Sequence, residues 1–129
     1  MSTRLKRAQA VLNHADAFLR SNDVLKAAAV NDRHPFGMVL PLLTMQAFAI
    51  ELLFKCLFLI DDSDPPNEHN LKKLFDLLSR ETRDEIIRRW DEGPRKRIEK
   101  VLSFPADLTS SLEACGNAFV QLRYAFDKP

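Results

Sequence analysis

Two charged residues, an acid and a base, interrupt the mostly apolar stretch at positions 41–60, PLLTMQAFAIELLFKCLFLI, whose other polar residues are Thr44 and Gln46. They are Glu51 and Lys55, and a spacing of four places both on one face of a helix, with the acid first, as an ion pair prefers. Two interpretations remain open. The pair either marks the one solvent-facing stripe of a central helix, or it faces a groove or a partner subunit where its charges are available for binding.

The same alternatives apply near the C-terminus, at Arg123 and Tyr124. In the first interpretation, Arg123 forms an i, i+4 ion pair with Asp127 and Tyr124 hydrogen-bonds at the edge of the domain. In the second, both side chains point into the groove in which Glu51 lies. The sequence alone does not choose between an ordinary surface and a binding groove.

Basic residues are concentrated at positions 80–100, where eight basic residues only slightly outnumber six acidic ones. A solvated surface of ion pairs is therefore one interpretation of this segment. In the other, its cations contact phosphates. The candidate phosphate contacts are Arg88, Arg89, Arg95, Lys96 and Arg97. Trp90 is the only aromatic residue among them, so the pattern is not that of a base-stacking platform.

No Gly-rich phosphate loop, CxxC, HExxH or GxSxG motif occurs in the sequence. His14, His34 and His69 are too far apart for a sequence-local metal site, so we expect neither a metal nor another cofactor. Cys56 and Cys115 fall at apolar positions of helical patterns, which is typical of reduced, buried cysteines in a cytoplasmic protein. A disulfide or a reactive thiol is the alternative.

Apolar residues recur every three or four positions along most of the chain, and β-branched residues are few. This pattern predicts one all-α domain over residues 1–129, an up-down bundle of four to five helices. The long helices are expected near 3–20, 41–61 and 107–127. Ser21-Asn22-Asp23 can end the first of them, in which case Val24 to Val30 are free to form a short extra turn. Thr82 with Glu85 should form a capping box between the second and the third.

The same periodicity predicts the core. Its expected members are Leu52, Leu53, Phe54 or Leu57 of the central helix, together with Leu112, Phe119 and Leu122 of the last helix. The last helix carries a heptad-like seam through Leu108, Leu112, Cys115, Phe119, Leu122 and Phe126. The central helix is apolar on more faces than a small bundle can cover, so a surface should be left over for a second copy of the chain.

A membrane span is the alternative use of the apolar stretch, because twenty helical residues rise about 30 Å. Glu51 and Lys55 lie near its middle, and a charge at the centre of a bilayer costs about 2.5–3.5 kcal/mol on insertion scales. No flanking belt of Trp or Tyr is present. We therefore expect a water-soluble bundle with no membrane partner.

Three segments in order resemble the HEPN superfamily (higher eukaryotes and prokaryotes nucleotide-binding domains). They are AFAIELLFKCLFLI, HNLKKLFDLL and FVQLRYAFD, and they cover residues 47–127. The resemblance implies a four- or five-helix bundle that is often dimeric. Many HEPN proteins are metal-independent ribonucleases with an Arg-x(4–6)-His motif near the last long helix, built from two subunits. Here no histidine follows Arg123, which argues against that activity but not against the fold.

The resemblance therefore favours a non-catalytic HEPN-like module that binds a protein or RNA, in a bacterial defence or toxin–antitoxin setting. The expected partners are a second copy of the chain, RNA or a nucleotide, and a cognate protein. One alternative is a ribonuclease with an atypical site around Glu51, His69, Arg123 and Tyr124. Another is a purely structural dimerisation domain. The candidate groove comprises Glu51, Lys55, His69, Arg123 and Tyr124.

Overall fold

The computed structural model of the chain describes residues 1–33 and 35–124, and the side chains of these except at 35, 36 and 117–124. Six α-helices and one 3₁₀ turn make up this part of the chain, and it contains no strand. They are α1 (Thr3–Val30), the 3₁₀ turn (Pro35–Met38), α2 (Val39–Ile60), α3 (Leu71–Leu77), α4 (Arg80–Glu92), α5 (Pro94–Leu102) and α6 (Leu108–Tyr124). The prediction of an all-α helical bundle is confirmed.

The main core lies where the second half of α2 meets α3 and α6. Its buried members are Phe54, Phe58, Leu71, Leu74, Phe75, Leu78, Leu108 and Leu112. Three partly buried side chains of α4, Ile86, Ile87 and Trp90, pack against it. These large apolar side chains supply most of the hydrophobic stabilisation available in the described part of the chain.

The predicted core is confirmed at Phe54 and Leu112, which are buried. Leu52, Leu53 and Leu57 are only half buried. The predictions for Phe119 and Leu122 fall outside the described side chains. Periodicity thus identified a core-facing position of the central helix but did not predict how far each side chain is buried.

Helix α1 runs ten residues past its predicted end and stops at Val30. The prediction that Ser21-Asn22-Asp23 ends the helix is wrong, because Asn22 is buried in the described structure and packing outweighs its weak helix propensity. The run Ala27–Ala29 that follows is a strong helix former and continues the helix.

Small side chains line the contact between α1 and α2. On α1, Ala8, Ala15 and Asn22 recur every seven residues and are all buried. On α2, Ala49 is buried too, and the thiol of Cys56 donates to the Ala8 carbonyl at 3.4 Å. Small residues let two helix backbones approach closely, so these two helices form a tight antiparallel hairpin, here called the α1–α2 hairpin.

The ends of the later helices follow side-chain caps. Asp107 accepts from the Ser110 N–H at 3.0 Å and starts α6 where the sequence predicted. The predicted capping box at Thr82 is wrong, because α4 begins earlier, with Ser79 as its cap. The Ser79 hydroxyl accepts from the Thr82 N–H at 3.3 Å, so Thr82 already lies inside the helix.

The seam predicted for α6 is wrong at Cys115, which is exposed rather than buried. Its neighbour Gly116 is the buried residue at this level of the helix. A Cβ at Gly116 would lie 3.3 Å from Nδ2 of Asn70, so a glycine allows α6 to approach the start of α3 closely. The seam positions after Gly116 lie outside the described side chains.

Candidate functional site

The structure brings together three of the five predicted groove residues. Lys55 Nζ donates to Glu51 Oε2 at 3.3 Å, and Nδ1 of His69 lies 3.3 Å from both oxygens of the same carboxylate. The side chains of Glu51 and Lys55 are 12% and 19% exposed, whereas that of His69 is 64% exposed. The largely buried Glu51–Lys55 ion pair on α2 therefore contacts one ring nitrogen of His69, whose imidazole is otherwise exposed to solvent.

This geometry has a definite chemical capacity. An imidazole whose Nδ1 is held by a carboxylate has its orientation fixed and presents Nε2 outward, as in base–orienter pairs of hydrolytic enzymes. Such a nitrogen can donate to an anion when the ring is protonated or accept a proton when it is neutral. Lys55 adds a positively charged partner to Glu51. The cluster is therefore suited to proton transfer or to anion binding.

The backbone around His69 is fixed by Glu68 and Asn70, which are not among the predicted groove residues. The Glu68 carboxylate accepts from the N–H groups of His69 at 3.1 Å and of Asn70 at 3.0 Å. The backbone hydrogen bond from Asn70 is the main cause that lowers the pKa of Glu68. Asn70 in turn caps α3 by accepting from the Lys73 N–H at 3.1 Å. An asparagine just before an apolar helical run is a start signal, so Asn70 could have been found from sequence.

Arg123 and Tyr124 occupy the last turn of α6, but their side chains lie outside the described ones. Their predicted meeting with Glu51 therefore stays a prediction. The predicted Arg123–Asp127 pair also lies outside the described residues. Glu51, Lys55 and His69 form the part of the candidate groove that the structure describes.

The five candidate phosphate contacts divide into two groups. Arg88 and Arg89 both pair with Glu85, at 2.6 and 2.8 Å, and Arg95 pairs with Asp91 and Glu99. These hydrogen bonds from the two arginines lower the pKa of Glu85 to about 2. Such arginines are already neutralised and have less charge to offer a phosphate.

Lys96 and Arg97, the other two candidates, are exposed. Neither forms an ion pair within the described residues, and the same holds for their neighbour Lys100. The prediction of phosphate contacts therefore depends mainly on Lys96 and Arg97 of α5.

Two apolar stripes of the α1–α2 hairpin remain exposed. The first consists of Leu5, Leu12 and Leu19 on α1, spaced by seven residues and each more than two-fifths exposed. The second continues a core-facing line of α2. Ile50 and Leu57 of that line pack against the main core, whereas Leu43, seven residues earlier, is exposed. We call Leu5, Leu12, Leu19, Leu40 and Leu43 the hairpin stripes.

By length and composition alone, α2 could also cross a membrane, and 28% of its most apolar window is buried by the rest of the described chain. The core helix of a soluble protein meets the same criterion, and Phe54, Phe58 and Leu59 of α2 are buried within the described part of the chain. Among the described residues, no group of three or more His, Cys, Asp or Glu side chains is placed to hold a metal ion.

Comparison with known proteins gives no relative: no family model, curated protein or solved structure matches this chain. The HEPN resemblance therefore stays a prediction that rests on three short segments.

Proposed function

We propose that this chain is a non-catalytic interaction module of the HEPN-like type that works as a homodimer joined through the hairpin stripes. The observation that carries the proposal is that the face of α2 that packs into the main core continues, exposed, toward the start of the helix. Leu43 extends the line of Ile50 and Leu57 beyond the point where α3 and α6 cover it. An apolar stripe of this kind in water is typical of a surface that a partner buries.

The pattern on α1 favours a second copy of the chain as that partner. Leu5, Leu12 and Leu19 keep the seven-residue spacing of helices that pack along their length. With a two-fold axis near Leu12, an antiparallel pair would bring Leu5 of each copy beside Leu19 of the other. The stripe can thus pack against its own copy.

The test is the molar mass in solution at micromolar concentration, measured by light scattering after size exclusion. We expect about twice the 14.8 kDa of one chain. Leu12→Glu and Leu43→Glu should each return the protein to a monomer with unchanged helicity by circular dichroism. Leu77→Glu is the control, because Leu77 is an exposed leucine outside the stripes. A monomeric wild type, or one that associates only with detergent micelles, would overturn the proposal.

The Glu51–His69 contact favours a second candidate, cleavage of RNA by general acid–base chemistry at His69. In this hypothesis Nε2 of His69 takes the proton of the 2′-hydroxyl while the hydroxyl oxygen bonds to the adjacent phosphorus, the P–O5′ bond breaks, and the leaving 5′-oxygen takes a proton from water. Glu51 fixes the imidazole ring. Cleavage of single-stranded RNA that is lost in His69→Gln and kept in Lys72→Ala would replace the non-catalytic proposal. A dimer that leaves RNA intact under the same conditions would support the non-catalytic proposal.

A further inference from the structure

A second exposed apolar surface lies at the end of α5, far along the chain from the hairpin stripes. Val101, Leu102 and Phe104 are 79%, 50% and 56% exposed, and all five residues at 101–105 are exposed. Ser103 between them has a left-handed backbone, with φ of 59°, and ends the helix. We call Val101, Leu102 and Phe104 the α5 tip.

The α5 tip is held in place from both sides. Before it, the Glu99 carboxylate accepts from Arg95 at 2.8 Å and from the Ala106 N–H at 2.9 Å. These two hydrogen bonds, the backbone one foremost, lower the pKa of Glu99. After the tip, the Trp90 indole donates to the Ala106 carbonyl at 2.8 Å, and Ala106 itself is buried. The turn is therefore anchored, and its apolar side chains are presented to solvent rather than folded away.

Unpaired cations stand next to the tip. Lys96, Arg97 and Lys100 are exposed, and none forms an ion pair within the described part of the chain. The one acid of α5, Glu99, is already used by Arg95 and by the turn. The end of α5 thus combines an excess of positive charge with three protruding apolar side chains.

From this combination we infer that the α5 tip binds the surface of an anionic lipid bilayer. Apolar side chains on a protruding turn can enter the boundary between headgroups and acyl chains, while neighbouring cations meet the anionic headgroups. RNA would use the cations and could stack on Phe104, but it offers nothing to Val101 and Leu102. This contact lies on the membrane surface and differs from a span by α2. It does not depend on the proposed homodimer.

The test is cosedimentation of the full chain with vesicles of phosphatidylcholine and with vesicles of phosphatidylcholine and phosphatidylglycerol in equal parts. We expect binding to the anionic vesicles that weakens with salt and is absent for the neutral ones. Each cation near an anionic membrane strengthens binding about fivefold, so the triple change Lys96→Ala, Arg97→Ala and Lys100→Ala should weaken it about a hundredfold. Val101→Ser with Phe104→Ser should weaken it on the order of tenfold.

Matched controls separate the tip from charge in general. The triple change Arg7→Ala, Lys26→Ala and Arg33→Ala removes the same net charge from positions of α1 and the segment after it that are exposed and unpaired within the described residues, and should leave most of the binding. Circular dichroism verifies that every variant is folded. Equal loss in the control triple, or no binding to anionic vesicles, would overturn the inference. Binding of single-stranded RNA instead of vesicles, lost in the α5 triple, would also overturn it and assign the tip to nucleic acid.

Discussion

The two halves of α2 lie in different surroundings. Its second half is surrounded by α1, α3 and α6, and Phe54, Phe58 and Leu59 are buried there. Its first half, residues 39–48, has no buried residue and packs mainly on α1. One continuous apolar helix is therefore a core element at one end and one arm of a hairpin at the other.

The residue types at the two contacts explain the difference. The main core is filled by phenylalanine and leucine, whereas the α1–α2 contact is centred on Ala8, Ala15 and Ala49. Alanines allow close approach but bury little apolar area, so the larger side chains beside them stay partly in water. The hairpin thus gains less from folding alone and offers more surface to a partner.

The largest contrast should come from truncating one apolar side chain in each region. Phe75 is fully buried in the main core, and its ring is tilted by 51° to that of Phe54, with the two centroids 6.0 Å apart. Phe75→Ala should lower the free energy of unfolding by about 3–5 kcal/mol. Leu12→Ala in the hairpin stripes should change it by no more than about 0.5 kcal/mol, as at other surface positions.

Both values are measured by urea denaturation at a protein concentration low enough to keep the chain monomeric. Equal losses at Phe75 and Leu12 would mean that the hairpin is packed as firmly as the core and that its leucines are not a free surface. The comparison between the two halves of α2 would then fail.

The contrast also shows which features could be predicted from sequence. Apolar periodicity identified the central helix, its core-facing side and the buried Phe54 and Leu112, because these follow from local spacing. The end of α1 was predicted too early because Ser21-Asn22-Asp23 is a typical helix-ending sequence, and the burial of Asn22 that overrides it depends on packing against α2. The exposed Cys115 was missed because periodicity alone cannot tell that Gly116 is the residue that approaches α3.

The candidate site divides in the same way. The Glu51–Lys55 pair follows from spacing on one helix and was predicted, and the approach of His69 to it was expected through the HEPN resemblance. Glu68 fixes the loop through the N–H groups of the next two residues, and this local contact was missed because glutamate, unlike Asn, Asp, Ser or Thr, is not a usual signal for such a turn. The pairing of Arg88 and Arg95 is again local, at i, i+3 and i, i+4, and was left open only because phosphate contacts use the same residues.

A smaller effect is expected at the one buried polar side chain of the hairpin. Within the described residues, Oδ1 of Asn22 has no hydrogen-bond partner, and an unsatisfied buried group costs about 1–3 kcal/mol. Asn22→Ala should therefore stabilise the chain by about 1 kcal/mol, which also includes the better helix propensity of alanine. Thermal unfolding followed at the helical signal measures the gain.

Asn13→Ala is the matched control for this change, because Asn13 is an exposed asparagine on the same helix. It should show a gain limited to helix propensity, about 0.5 kcal/mol, reduced by loss of the exposed Gln9–Asn13 hydrogen bond. If Asn22→Ala destabilises the chain instead, the amide makes a net favourable contribution to the hairpin, and the idea that this contact is the weaker one has to be revised.

The smallest effect should be the pH dependence of stability that Asp107 contributes at the start of α6, which packs in the main core. The Ser110 N–H and hydroxyl and the Thr109 hydroxyl, the backbone bond foremost, lower the pKa of Asp107 from 3.8 to about 2. Because the folded-state pKa is the lower one, this contribution is fully present above pH about 4 and is lost as the pH falls through about 2.

Asp107→Asn keeps an acceptor for the start of α6 but cannot titrate. The stability difference between wild type and Asp107→Asn should therefore shrink between pH 5 and pH 2 in chemical denaturation, while groups common to both proteins cancel. A difference that stays constant over this range would show that the charge of Asp107 does not stabilise α6 and that its cap works through hydrogen bonding alone.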